Sequence, residues 1–211
     1  MSTNAPNDAL PRGYHDEPST VQLHRAIGGY ITIFSELVAT MRHHISKFLE
    51  PNRDGAVDNS QLLDILFSTM TANPITESFF AMASHIGELN ESEVLVRNSL
   101  KRSVRKHVDF RNDLAHADWS IGWMRLDTSE TVPASAHRIK SREGVPQYSN
   151  LNIQTNDIIY KINDLNGLRV HVKKFGSGCL ARQRNLDQRV SDLLEPVTEA
   201  DSGRILVQEV T

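Results

Sequence analysis

Between residues 27 and 49, apolar side chains recur at three- and four-residue spacing: Ile27, Tyr30, Ile31, Phe34, Leu37, Val38, Met41, Ile45, Phe48 and Leu49. An α-helix turns once in about 3.6 residues, so this spacing gathers them onto one stripe of a long amphipathic helix. A stripe of that length must be covered, and the cheapest cover is other helices. Ser19 and Gln22 offer a capping box at its start, and Pro51 closes it.

The same spacing continues downstream. Pro51-Asn52-Arg53-Asp54-Gly55 reads as a turn. A second helix is expected from the Asn59/Ser60 cap, carrying Leu62, Leu63, Leu66 and Met70. Asn73-Pro74 caps a third with Phe79, Met82, Ala83 and Ile86. Asn90, with Glu93 three residues on, caps a fourth from about 91 to 115. Beyond His116 the period changes to two: Trp119, Ile121 and Trp123 alternate with Ser120, Gly122 and Met124, which predicts a strand. Residues 127–150, with His137-Arg138-Ile139-Lys140 among turn formers, read as a β-hairpin or loop. Helical spacing returns with Ile158, Ile162, Leu165, Val172 and Phe175, ended by Gly176 and Gly178. A last short helix carries Leu186, Val190, Leu193 and Leu194 before Pro196. The expected architecture is all-α: a helical bundle over 18–195 with a hairpin or loop inserted around 119–150. Polar tails at 1–17 and 196–211 flank it.

Composition narrows the function. The 211 residues carry 23 basic and 26 acidic side chains, and the pI is about 6.3. A protein that coats nucleic acid is normally more basic, so any RNA contact must come from a local patch. The single Cys179 excludes an internal disulfide framework and fits a reducing cytosol. No apolar run approaches the roughly 20 residues of a membrane span. Residues 1–17 have no charged segment followed by an apolar one, so no secretory signal is expected. A cytoplasmic protein without cofactor is the expectation.

The segment Arg111-Asn112-Asp113-Leu114-Ala115-His116 carries the chemistry. Arg presents a flat, permanently charged fork to phosphate, and His titrates near neutrality. Arg102 and His107 repeat the same spacing, but only the second pair has Asn directly after the Arg and closes a long amphipathic helix. This motif, after a run of helices, resembles the signature of HEPN-type helical domains. The strand-like segment directly after His116 departs from that pattern. The resemblance implies a metal-independent endoribonuclease of the toxin or phage-defence kind, cutting single-stranded or looped RNA. His116 would move the proton of the 2′-hydroxyl or leaving oxygen, Arg111 would hold the phosphate, and Asn112 would position the motif. It also implies a homodimer whose cleft joins both copies, and an antitoxin or regulatory protein as a further partner. The alternative is a non-catalytic module of the same build that binds RNA or protein, with Arg111 in a structural ion pair.

Helix geometry bears on the motif independently. At 100° per residue, Leu100, Val104 and Val108 fall within about 80° of one another, and Arg111 lies about 20° from Leu100. A guanidinium on that inner stripe needs a carboxylate or a phosphate. Residues five apart are separated by about 140°, so Arg111 and His116 converge only if the helix ends before 116 or two subunits share the site. Arg102, Arg105, Lys106 and His107, with Lys101, give the fourth helix a basic surface for RNA, or simply a solvated face. Asp113 is placed to hold His116, pair with Arg111 or, with Asp109, bind a divalent ion. Elsewhere, His43-His44 and His85 read as surface or structural histidines. Trp119 and Trp123 cover the core or stack on bases, and Gly28-Gly29 allows close helix packing.

Overall fold

In the computed structural model, residues 18–49, 60–120, 123–124, 131–132, 135–142 and 145–183 are described. The elements are α1 (Pro18–Leu49), α2 (Ser60–Ser68), α3 (Ala72–Gly87), α4 (Glu91–His116), β1 (Asp118–Ser120), β2 (Trp123–Met124), β3 (Thr131–Val132), β4 (Ser135–Arg142), β5 (Val145–Asn150) and α5 (Thr155–Gln183). This is the expected helical bundle with a small inserted hairpin. No described helix is long and apolar enough to cross a membrane. The tails, the 51–55 turn and the short helix expected over 186–194 lie outside the described residues.

The chain divides into two compact units, Met1–Gly29 with Asp113–Ile159, and Tyr30–Asn112 with Tyr160–Thr211. The helical unit is built on the stripe of α1. Tyr30, Phe34, Leu37, Met41, Ile45 and Phe48 are buried, together with Ile75, Phe79, Phe80 and Ala83 of α3. From α4 come Leu100, Val104 and Val108, and from α5 Leu165, Val172 and Phe175. Phe79 is the hub of this core: its ring meets Phe80 edge-on at 4.9 Å and Phe48 stacked at 6.1 Å. Offset and edge-to-face contacts of this kind add to the area buried.

The other unit holds a three-stranded antiparallel sheet in the order β1-β4-β5, with β4 and β5 paired from His137↔Asn150 to Arg142↔Val145. A separate pair joins β2 to β3. The hairpin expected near 127–150 is therefore β4–β5, and the alternation after His116 is β1 followed by β2. Trp119 donates its indole N–H to the Leu114 carbonyl at 3.1 Å, tying the strand back to the end of α4.

Four local expectations need correction. Pro18, not a capped Ser19, opens α1, which suits a residue with fixed φ and no N–H to satisfy. Thr71, in extended conformation, precedes α3, and Pro74 sits inside its first turn, where no N–H is required. Helix α2 ends at Ser68, short of Met70, and turns Phe67 inward while Leu66 stays exposed. Lastly, Gly176 and Gly178 do not end a helix; α5 runs through both to Gln183. Gly176 is there for close approach: a Cβ on it would lie 2.3 Å from Cδ2 of the buried His44 ring.

Candidate nucleic-acid interface

Helix α4 is fixed at its start by the expected capping box. Asn90 N–H donates to the Glu93 carboxylate at 2.9 Å, and Glu93 N–H donates to Asn90 Oδ1 at 3.0 Å. The Glu93 side chain is fully buried and also takes the guanidinium of Arg182 from α5. A buried carboxylate needs such a partner to stay ionised. The helix is thus anchored at one end, and its inner stripe of Leu100, Val104 and Val108 sets the rotation of everything downstream.

Arg111 falls on that stripe and is half-buried. Its Nη1 donates to Asn112 Oδ1 at 3.3 Å, and among the described residues it has no ion pair. Asn112, also half-buried, thus orients the guanidinium without neutralising it. The carboxylate partner that a purely structural arginine would need is absent among the described residues. Asp113 does not supply it: that carboxylate pairs with Arg138 of β4. Among the described residues Asp113 makes no hydrogen bond or ion pair with His116. Among the described residues, no group of three or more His, Cys, Asp or Glu could hold a metal ion.

His116 is exposed at the last position of α4. The helix neither ends nor loosens before it, so the separation of about 140° from Arg111 stands. Of the two routes to convergence, an early helix end is not what the structure shows, since α4 runs to His116 itself.

The basic surface is reshaped by its neighbours. Arg102 and Lys106 are exposed as expected. Arg105 and Lys101 both bind Glu77 of α3, each at 2.6 Å. These hydrogen bonds, Lys101 first and Arg105 next, hold the Glu77 carboxyl below its usual range. His107 is a correction: it is 2% exposed and cannot meet a phosphate on the surface. Its Nδ1 lies 2.9 Å from the Tyr30 hydroxyl of α1, and its Nε2 lies 3.2 Å from Asp164 of α5. Burial pushes its pKa below the ordinary histidine value, and Asp164 opposes the shift. Burial also raises the Tyr30 phenol, so the hydroxyl keeps its proton. His107 belongs to the framework that joins three helices.

Arg97 is the residue that sequence reasoning missed. It lies in a groove of about 470 Å³ between α3 and α4, with Glu77, Ser84, Asn98 and Lys101 on the walls. Its Nη1 donates to Ser84 Oγ at 2.8 Å, and its Nη2 and Nε donate to Asn98 Oδ1 at 2.8 and 3.2 Å. The signal was available: Arg97, Lys101 and Arg105 follow one another at four-residue steps.

The remaining candidates are accounted for structurally. His44 is buried, and its Nδ1 donates to the Thr40 carbonyl at 2.8 Å, while His43 and His85 are exposed. Trp119 is half-buried with its N–H engaged. A Cβ on Gly28 would meet nothing within 4 Å among the described residues. Cys179 is buried and its thiol pKa is pushed up to about 12 by desolvation, which leaves it unreactive. Compared with known proteins, the chain matches no family model, and no curated protein or solved structure is significantly similar to it.

Proposed function

We propose that this protein is a HEPN-like, metal-independent endoribonuclease that works as a homodimer on single-stranded or looped RNA. Arg111 carries the proposal. It is a half-buried guanidinium on the inner stripe of a long helix, held by the neutral oxygen of Asn112 and matched by no carboxylate among the described residues. Such a charge is stabilised when a phosphate docks on it. In this reading Arg111 binds the scissile phosphate and stabilises charge developing on its oxygens. Asn112 fixes the plane of the guanidinium. His116, exposed at the helix end, transfers the proton of the 2′-hydroxyl or of the leaving 5′-oxygen. In this reading the His116 that meets a given Arg111 comes from the other copy.

The test is cleavage of single-stranded RNA by the purified protein and by Arg111→Ala and His116→Ala variants. Each variant is expected to lose on the order of 10²–10³ in rate while melting like the wild type. Loss of folding in Arg111→Ala, with no RNA cut by the wild type, rejects the catalytic assignment. A second reading, an RNA-binding helical module without cleavage, is favoured by the continuity of α4, which keeps Arg111 and His116 apart in one chain. It is separated from the first by RNA that is bound but stays intact.

A further inference from the structure

We propose that the groove between α3 and α4 seats a segment of single-stranded RNA, with Arg97 and Lys101 taking its phosphates and Glu77 as an internal stand-in that phosphate displaces. The inference rests on RNA being the ligand of α4, catalytic or not. Arg97, Lys101 and Arg105 are spaced four residues apart, so each step advances about 6 Å along the helix and turns about 40°. They therefore line one flank, and the contacts of Lys101 and Arg105 with Glu77 identify it as the flank beside α3. The same flank continues to Asn112, two turns beyond Arg105 and about 20° from it. A strand lying in the groove is thereby led toward the Arg111–Asn112 pair.

Arg97 is the strongest part of the groove. Its guanidinium is half-buried and bonded only to the neutral oxygens of Ser84 and Asn98, with no ion pair among the described residues. These bonds hold the fork in one plane without cancelling its charge, which is the state suited to phosphate oxygens. Glu77 is a single carboxylate shared by two cations, Lys101 and Arg105. Its side chain is 47% exposed, and ion pairs that open to solvent are weak and readily exchanged. In the free protein it holds Lys101 and Arg105; with RNA present it gives them up. The cavity of about 470 Å³ lies within the range of small-ligand sites, large enough for a nucleotide unit.

The experiment is a fluorescence-anisotropy titration of the full chain with a labelled 2′-O-methyl oligonucleotide, which cannot be cleaved. Arg97→Ala is expected to weaken binding about tenfold, the loss of a charge-assisted contact. It should also lower the slope of log affinity against log salt by roughly 0.7. Glu77→Gln, which removes the competitor but keeps the shape, is expected to tighten binding about threefold. Both variants are checked for unchanged melting. If both bind like the wild type while Arg102→Ala or Lys106→Ala binds more weakly, RNA lies on the outer face of α4 and the groove assignment is overturned. Weaker binding by Glu77→Gln overturns the displacement role. A wild-type protein that binds no RNA removes the groove proposal together with the function it rests on.

Discussion

Two glycines nine residues apart on α5 should respond to the same substitution with opposite signs. Alanine is favoured over glycine in a helix interior by about 1 kcal/mol, because it loses less backbone entropy on folding. At Gly167 a Cβ would meet nothing within 4 Å, so Gly167→Ala keeps that gain, about 0.5–1 kcal/mol of added stability. At Gly176 the Cβ would fall 2.3, 2.7 and 2.8 Å from Cδ2, Cγ and Nε2 of His44. The ring has little room to retreat. It is 4% exposed, its Nδ1 is tethered to the Thr40 carbonyl at 2.8 Å, and Phe79 and Phe48 flank it at 6.0 and 6.3 Å. Overpacking costs about 1–3 kcal/mol, and loss of the tether costs about 1 kcal/mol more. After the propensity gain, Gly176→Ala is destabilised by about 1–3 kcal/mol. For a chain of this length 1 kcal/mol moves Tm by about 2–4 °C, so the two variants should separate by several degrees. Urea unfolding followed by circular dichroism measures both midpoints. Equal stability of Gly176→Ala and wild type, or shifts of the two variants in one direction, would refute the assignment of Gly176 as a packing glycine.

Acid should weaken the fold. Burial lowers the pKa of His44, His107 and His171 in the folded chain, so below the ordinary value of about 6.5 the unfolded state binds more protons. Stability is therefore complete above that value and declines as pH falls through it, which urea midpoints at several pH values will show as a falling acid limb; a flat profile contradicts it. Glu93→Ala leaves Arg182 without its carboxylate and opens the capping box, and is expected to cost about 3 kcal/mol, against about 1 kcal/mol for Asn90→Ala, both read from unfolding midpoints. Light scattering at micromolar concentration is expected to give the mass of a dimer, and a strictly monomeric mass counts against a site shared by two chains.

Much of the fold was legible because helix period is a strong, local signal. The stripe of α1 and the Asn90/Glu93 box mark their helices in the sequence, and both stand in the structure. What could not be read depended on partners distant in sequence. Gly176 looks like a helix stop until His44 of α1 is set against it. His107 looks like part of a basic surface until Tyr30 and Asp164 close over it from two other helices. Asp113 looks like a partner for His116 until β4 brings Arg138 to it. Wheel geometry put Arg111 on the inner stripe, but whether a carboxylate waited there was a tertiary matter. Arg97 was passed over because it stands well upstream of the motif, although its four-residue step to Lys101 shares their flank.

The most direct measurement is the cleavage of single-stranded RNA in the presence of EDTA across a range of pH. RNA is expected to be cut without added metal, leaving products with 2′,3′-cyclic phosphate ends. The rate should follow a bell-shaped pH profile, since one imidazole acts neutral and another protonated. RNA left intact, or activity that vanishes with chelator and returns with Mg²⁺ or Mn²⁺, would contradict this expectation.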